Sequence, residues 1–146
     1  MSEVTIREAK MSDVERLAEL NGTLGYPVSA VVMTERLARV LPMENHTVLV
    51  AEVSGEVVGW LHGAEQEALA VGTLGEVWGL VVAAEQRGRG VGRRLMAAVE
   101  EWGRARGLAQ ISLRSNVIRP ESHAFYERIG YTRYKTQHAY RKRLDI

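Results

Sequence analysis

Three alternating glycines set among arginines are the residues of this chain best placed to do chemistry. In the stretch from Glu76 to Arg94, EVWGLVVAAEQRGRGVGRR, an apolar run leads into Gly88, Gly90 and Gly92 and then into an amphipathic pattern. Glycine removes the Cβ that keeps a backbone away from a bulky anion, and free amides at a helix start point at whatever sits before it. A run of such N–H groups, with Arg87, Arg89, Arg93 and Arg94 beside it, makes a concavity for phosphate. Spacing separates the kinds of phosphate loop. A nucleoside-triphosphatase loop needs Gly-Lys followed by Ser or Thr, whereas these glycines lead into Val91 and Gly92. A dinucleotide site needs G-x-G-x-x-G and an acid about twenty residues on, where this chain has Leu108, Ala109 and Gln110. What is left is R-x-x-G-x-G, filled by Arg87, Gly90 and Gly92.

On a strand, loop and helix in the middle of a short chain, that pattern resembles the coenzyme A signature of the GNAT superfamily of N-acetyltransferases. The segment from Ser115 to Tyr131, SNVIRPESHAFYERIGY, is similar to the family's second hallmark: an Asn closing a strand, then a helix carrying Phe-Tyr and ending in Gly-aromatic. The resemblance implies one domain over residues 1–146 of α/β (α+β) class, with a central mixed, mostly antiparallel, splayed sheet flanked by helices. It implies acetyl-coenzyme A as co-substrate. The pyrophosphate would lie on Arg87, Gly88, Arg89, Gly90, Val91 and Gly92, the pantetheine arm along the backbone of Leu80, Val81 and Val82, and Asn116 would add a ligand to that arm. Ala84 and Ser122 stand where many relatives have proline and alanine, and neither change removes a chemical group.

Acetyl transfer from a thioester asks for a held donor, a neutral amine and a proton for the departing thiolate. A lysine-like amine has a pKa near 10.4, so freeing its lone pair at pH 7 costs about 4 to 5 kcal/mol without help. Glu76 lies eleven positions before Arg87, where histone-type members carry their catalytic carboxylate; it is the candidate base, directly or through water, against the alternative of a water chain with no unique carboxylate. Strand alternation puts it on one face with Trp78, Leu80 and Val82, an apolar wall that would raise its pKa. Tyr126 follows Phe125 at the place where the family holds a phenol against the coenzyme sulfur, and a phenol near 10 stays protonated beside a thiol near 8.5. It is the candidate acid as well as a coenzyme contact.

The implied reaction is direct attack of a primary amine within a ternary complex. Tyr26 and Trp78 are expected to touch the acceptor, with Glu44, Glu65 and Glu67 suited to a small cation. The acceptor is a small-molecule amine or an amine of a peptide or protein. A sensor that binds acyl-coenzyme A without turnover is the alternative reading, and dimers are common in the family.

The elements that must position these groups follow from periodicity. Val4 and Ile6 alternate with polar neighbours as a first strand, and Ser12-Asp13-Val14-Glu15 reads as a capping box opening a helix through Leu17 and Leu20. A loop from Asn21 to Ser29 precedes a second helix on Met33, Leu37, Val40 and Leu41, stopped by Pro42. By the resemblance this loop covers the acceptor cleft. Thr47–Val53 and Glu56–His62 are strands turned by Ser54-Gly55, and 64–75 reads as a small-residue connection. Leu95, Ala98, Val99 and Trp102 share one helical face that ends at Gly107. Ile111–Leu113 is a short strand; Pro120 opens a helix with Ala124, Phe125 and Ile129 inward, and Gly130 ends it. Tyr131 and 138–144 are expected to supply the last two strands.

Composition bounds the rest. At 146 residues, 46% apolar and 25% charged, the chain is one ordinary globular domain. A net charge of +1 gives no global field for nucleic acid, so the arginines beside the glycines call for one phosphate-rich ligand, while Arg104, Arg106 and Arg141-Lys142-Arg143 read as solvated surface. With no cysteine there is no thiolate nucleophile or thiolate metal site, and His46 and His62 have no partner at metal-ligand spacing, so no metal is expected. No signal peptide or membrane span is read, which makes a cytoplasmic protein the default.

Overall fold

The first strand, β1 (Val4–Glu8), pairs antiparallel with β2 (His46–Val53) in the register Ile6↔Ala51. These coordinates are a computed structural model, which describes residues 3–115 and 120–145. Between β1 and β2 stand α1 (Val14–Thr23) and α2 (Ala30–Val40). β2, β3 (Glu56–Ala68) and β4 (Gly72–Val82) form an antiparallel meander, and β5 (Ile111–Leu113) adds in parallel to β4 after the crossover helix α3 (Val91–Ala105). The five strands lie side by side in chain order, a mixed sheet of the expected class.

The chain divides into two compact units, Met1–Arg114 and Ser115–Ile146. The second unit contains α4 (Pro120–Arg128). Gly130 ends it at φ +101°, with the amide of Tyr131 donating to the Tyr126 carbonyl and that of Gly130 to Glu127, a glycine stop of the expected kind. Ala124 is exposed, whereas Phe125 and Ile129 are half-buried, so the inward face is narrower than expected. Residues 131–145 form no strand. They are almost wholly exposed, and Arg133, Lys135, Arg141, Lys142 and Arg143 leave no apolar alternation to anchor a ladder.

In the first unit the core has two layers. Leu49, Ala51, Gly59 and Leu61 share the sheet face under α3, whose Val91, Leu95, Met96 and Val99 are buried. Glycine is needed under that helix: a Cβ on Gly63 would stand 2.8 Å from Val99 Cγ2. Val48, Val50, Trp60 and His62 share the opposite face, toward which α1 and α2 turn Leu17, Leu20, Met33 and Leu37.

Two local expectations are corrected. Ser12 does not cap α1, and Asp13 at the N-cap makes no side-chain cap bond there; its buried carboxylate instead closes the preceding turn Met11–Asp13, accepting from the Lys10 amide at 2.8 Å and from two nitrogens of Arg7 at 2.9 Å each. The Arg7 hydrogen bonds hold the Asp13 carboxyl below its usual range. Residues 64–75 are not a connection but the outer half of the β3–β4 hairpin, paired from Ala64↔Glu76 to Ala68↔Gly72. Ladder bonds on a partner strand override the weak strand preference of Ala, Gly and Glu there. The Ser54-Gly55 hairpin forms as expected, both residues having positive φ. Among the described residues no helix is long and apolar enough to cross a membrane.

Candidate active site

β4 delivers the chain into the glycine loop. Gly88 and Gly90 adopt φ of +79° and +82°, with Arg89 between them on the ordinary side of φ, which curls consecutive amides into one concavity. The first helical bond of α3 runs from the Arg94 amide to the Gly90 carbonyl. Every amide from Gly88 to Arg93 therefore lacks a backbone acceptor among the described residues. These include the amides of Val91 and Gly92 at the positive end of the α3 dipole. The Arg87 side chain is turned back, its Nε donating to the Val82 carbonyl at 3.3 Å, so the main chain rather than Arg87 presents the anion site.

β4 also carries an open edge. β5 pairs only with Gly75, Glu76 and Val77, so from Trp78 to Val82 that side of β4 has no partner strand among the described residues. The Ala83 amide donates to the Val58 carbonyl at 2.8 Å, and antiparallel bonding recurs at every second residue. Val81 thus turns its main chain to β3, while Leu80 and Val82 turn theirs to the open side, as a chain lying along the sheet would require. Val81, buried to 4% exposure, supports the edge from behind.

A bulge changes the expected faces. Gly63 pairs with Val77 and His62 with Gly79, leaving Trp78 as an extra residue in β4. Glu76, opposite Ala64, lies on the α1–α2 face, and Trp78 packs there against the rings of His62 and His46 at 5.8 and 6.2 Å. Leu80 and Val82 fall on the other face, so the apolar wall expected beside Glu76 does not include them. The Glu76 carboxylate is 14% exposed and stands 3.8 Å from the Arg114 guanidinium.

Residues 15–131 match the acetyltransferase (GNAT) family. The chain belongs to that family. Its class is that of acetyl-coenzyme A-dependent N-acetyltransferases. The IAA acetyltransferase of Azospirillum brasilense is 33% identical over 139 residues, 90% of this chain and 86% of that one. The mycothiol acetyltransferase of Thermobispora bispora is 36% identical over 94 residues, 63% of this chain but 32% of that longer protein. Among solved structures, aminoglycoside N-acetyltransferase AAC(6')-Iy in complex with coenzyme A superposes with a TM-score of 0.88 at 21% identity, covering 99% of this chain and 97% of that one. That likeness extends the fold assignment over nearly the whole GNAT chain.

Tyr126 is half-buried on α4, its ring against Phe125 at 5.1 Å and Tyr131 at 6.2 Å, and burial pushes its phenol pKa up. Asn116 lies outside the described residues. Tyr26 is exposed in the loop after α1, its carbonyl accepting from Asn21 Nδ2 at 2.7 Å. Glu65 is held by Arg106 at 3.3 Å, which corrects the reading of that arginine as free surface, and Glu67 accepts from Thr73. Glu44 is exposed.

Sequence reasoning missed the pairing of His46 and His62. Register brings His46 Nδ1 to 2.9 Å from His62 Nε2, with the rings stacked. Burial first, and the neighbouring His46 second, push the His62 pKa down to about 4. An unfolded His takes its proton near 6.5. Between these values the unfolded chain binds more protons than the native one, so this group's contribution to stability, complete above pH 6.5, is lost as pH falls toward 4. His62→Gln is expected to flatten the fall in Tm between pH 7 and pH 4.5; an equal fall in both proteins would assign acid sensitivity to other groups.

Proposed function

We propose that this GNAT protein moves the acetyl group of acetyl-coenzyme A to a primary amine by direct attack in a ternary complex. The observation that carries the reading is the union of a free-amide concavity at Gly88–Arg93 with the open β4 edge at Leu80 and Val82. The amides and the α3 dipole would take the pyrophosphate, and the edge would pair with the amide groups of the pantetheine arm, as a strand pairs. Asn116 is proposed as a further ligand to that arm.

In the proposed reaction the amine nitrogen attacks the thioester carbonyl carbon, giving a tetrahedral adduct whose C–S bond then breaks. Glu76, directly or through water, takes the proton from nitrogen. The departing thiolate takes one from the Tyr126 hydroxyl. A phenol is protonated at neutral pH, and burial pushes its pKa further up. Tyr26 and Trp78 are proposed to touch the acceptor, a small-molecule amine; Trp78 lies on the same sheet face as Glu76.

Glu76→Gln keeps shape and removes basicity. Coenzyme A release at neutral pH is expected to fall by about 10²-fold or more and to recover in part as rising pH deprotonates the amine unaided. A uniform loss at every pH would assign Glu76 to binding or structure.

A further inference from the structure

A cavity of about 300 Å³ lies between α1, α2 and the sheet face bearing Trp60 and His62. Its walls are mainly apolar, with Leu17, Met33, Leu37 and Val48 among them, and no carboxylate of the described residues lines it. Two of its charged groups are Arg36 and Arg39, one helical turn apart on α2. Arg7, Arg16, Arg104, Arg106 and Arg114 of this unit each pair with a carboxylate, whereas Arg89, Arg93 and Arg94 beside the glycine loop make no ion pair among the described residues. Arg36 and Arg39 make no ion pair or side-chain hydrogen bond among the described residues.

Trp60 forms part of the cavity wall. Its Nε1 is buried out of reach of the cavity space and has no hydrogen-bond partner among the described residues. The far edge of that indole is fixed over Gly79, where an added Cβ would meet Cζ3 at 2.9 Å.

We propose that the acceptor is an anionic amine: a primary amine joined through a short apolar body to a carboxylate or phosphonate, with the anion held by Arg36 and Arg39 and the body by the apolar wall. This rests on the acetyl-transfer reading above and adds the class of acceptor to it. Guanidinium groups match such oxyanions with paired, charge-assisted hydrogen bonds. A polycation meets the opposite: two unpaired arginines and no carboxylate on the wall. The volume is at the small end for ligand pockets, the scale of an amino acid rather than of a multi-ring aminoglycoside. The acids Glu65 and Glu67, which favoured a cationic acceptor in the sequence, are engaged by Arg106 and Thr73 and do not line the cavity.

The test compares 6-aminohexanoate, 6-aminohexylphosphonate, L-leucine, hexylamine, spermidine and kanamycin as acceptors, by coenzyme A release. The anion is expected to raise kcat/KM about ten- to a hundredfold over hexylamine, the range of one or two charge-assisted hydrogen bonds. The better of the first two probes distinguishes carboxylate from phosphonate. Arg36→Gln and Arg39→Gln, both exposed at the cavity rim, should erode that preference mainly through KM, with a retained acetyl-coenzyme A thermal shift showing that each variant is folded. Higher kcat/KM for spermidine or kanamycin than for every anionic amine overturns the proposal, as does an anion preference that survives both substitutions. If acetyl-coenzyme A binds and spermidine is acetylated while the anionic amines are not, only the acceptor class fails. If the coenzyme neither binds nor releases its thiol with any amine, the acetyl-transfer reading fails with it.

Discussion

Tyr126→Phe is expected to lower the maximal rate of acetyl transfer by roughly 10² to 10⁴, the range for a lost general acid, while acetyl-coenzyme A still binds. The substitution removes one oxygen and keeps the ring that packs against Phe125 and Tyr131. The helix ending should survive, because it depends on main-chain bonds from Gly130 and Tyr131. An acyl donor whose leaving thiol is more acidic should narrow the gap, since its thiolate departs with less need of a proton. Single-turnover rates with two such donors measure this. A variant within about twofold of the parent on a confirmed acceptor, far below the range of a lost acid, would reduce Tyr126 to a packing residue.

Gly90→Val is expected to abolish acetyl-coenzyme A binding. Gly90 sits at φ +82° within the run of amides that lack a backbone acceptor, and an added Cβ would meet no atom within 4 Å. At a ligand concentration about 100-fold above Kd the parent gains about 2.7 kcal/mol, readable as a rise in Tm, and the variant should gain none. Valine also brings backbone strain of roughly 1–2 kcal/mol at positive φ. Gly107→Val controls for that: Gly107 has φ +77° and equal space, but ends α3 at its opposite terminus. The control should melt lower yet keep the ligand shift. A normal shift in folded Gly90→Val would place the donor elsewhere.

The sequence revealed most where backbone conformation restricts residue type. Gly88, Gly90, Gly107 and Gly130 all occupy positive φ, which few other residues tolerate, so their spacing located the anion loop and two helix ends. The Ser54-Gly55 turn was legible for the same reason. What escaped were features made by register. No local pattern marks Trp78 as the extra residue of a bulge, and the assumed alternation placed Leu80 and Val82 beside Glu76 when they face away. His46 and His62 are sixteen residues apart and touch only because β2 and β3 pair with Val48 opposite His62. Arg36 and Arg39 resemble any solvated helical arginines until the sheet supplies Trp60 across the cavity. The strand expected at 138–144 did not form: Tyr140 and Leu144 are exposed, and Arg141, Lys142 and Arg143 lie between them.

The bulge at Trp78 makes β4 a strand with a change of phase, and that separates the inheritance of its two halves. Residues before it and at it, Glu76 and Trp78, look toward α1 and α2; Leu80 and Val82 beyond it belong to the face under α3. Substitutions at Glu76 and Trp78 can therefore reshape the α1–α2 side while Leu80 and Val82 keep their place on the face under α3. Loss of the one extra residue would instead invert every side chain on one side of it, coupling both halves in a single step. A lineage can thus explore new partners for one chemistry by point substitution, whereas a one-residue deletion at this spot is a change it should purge.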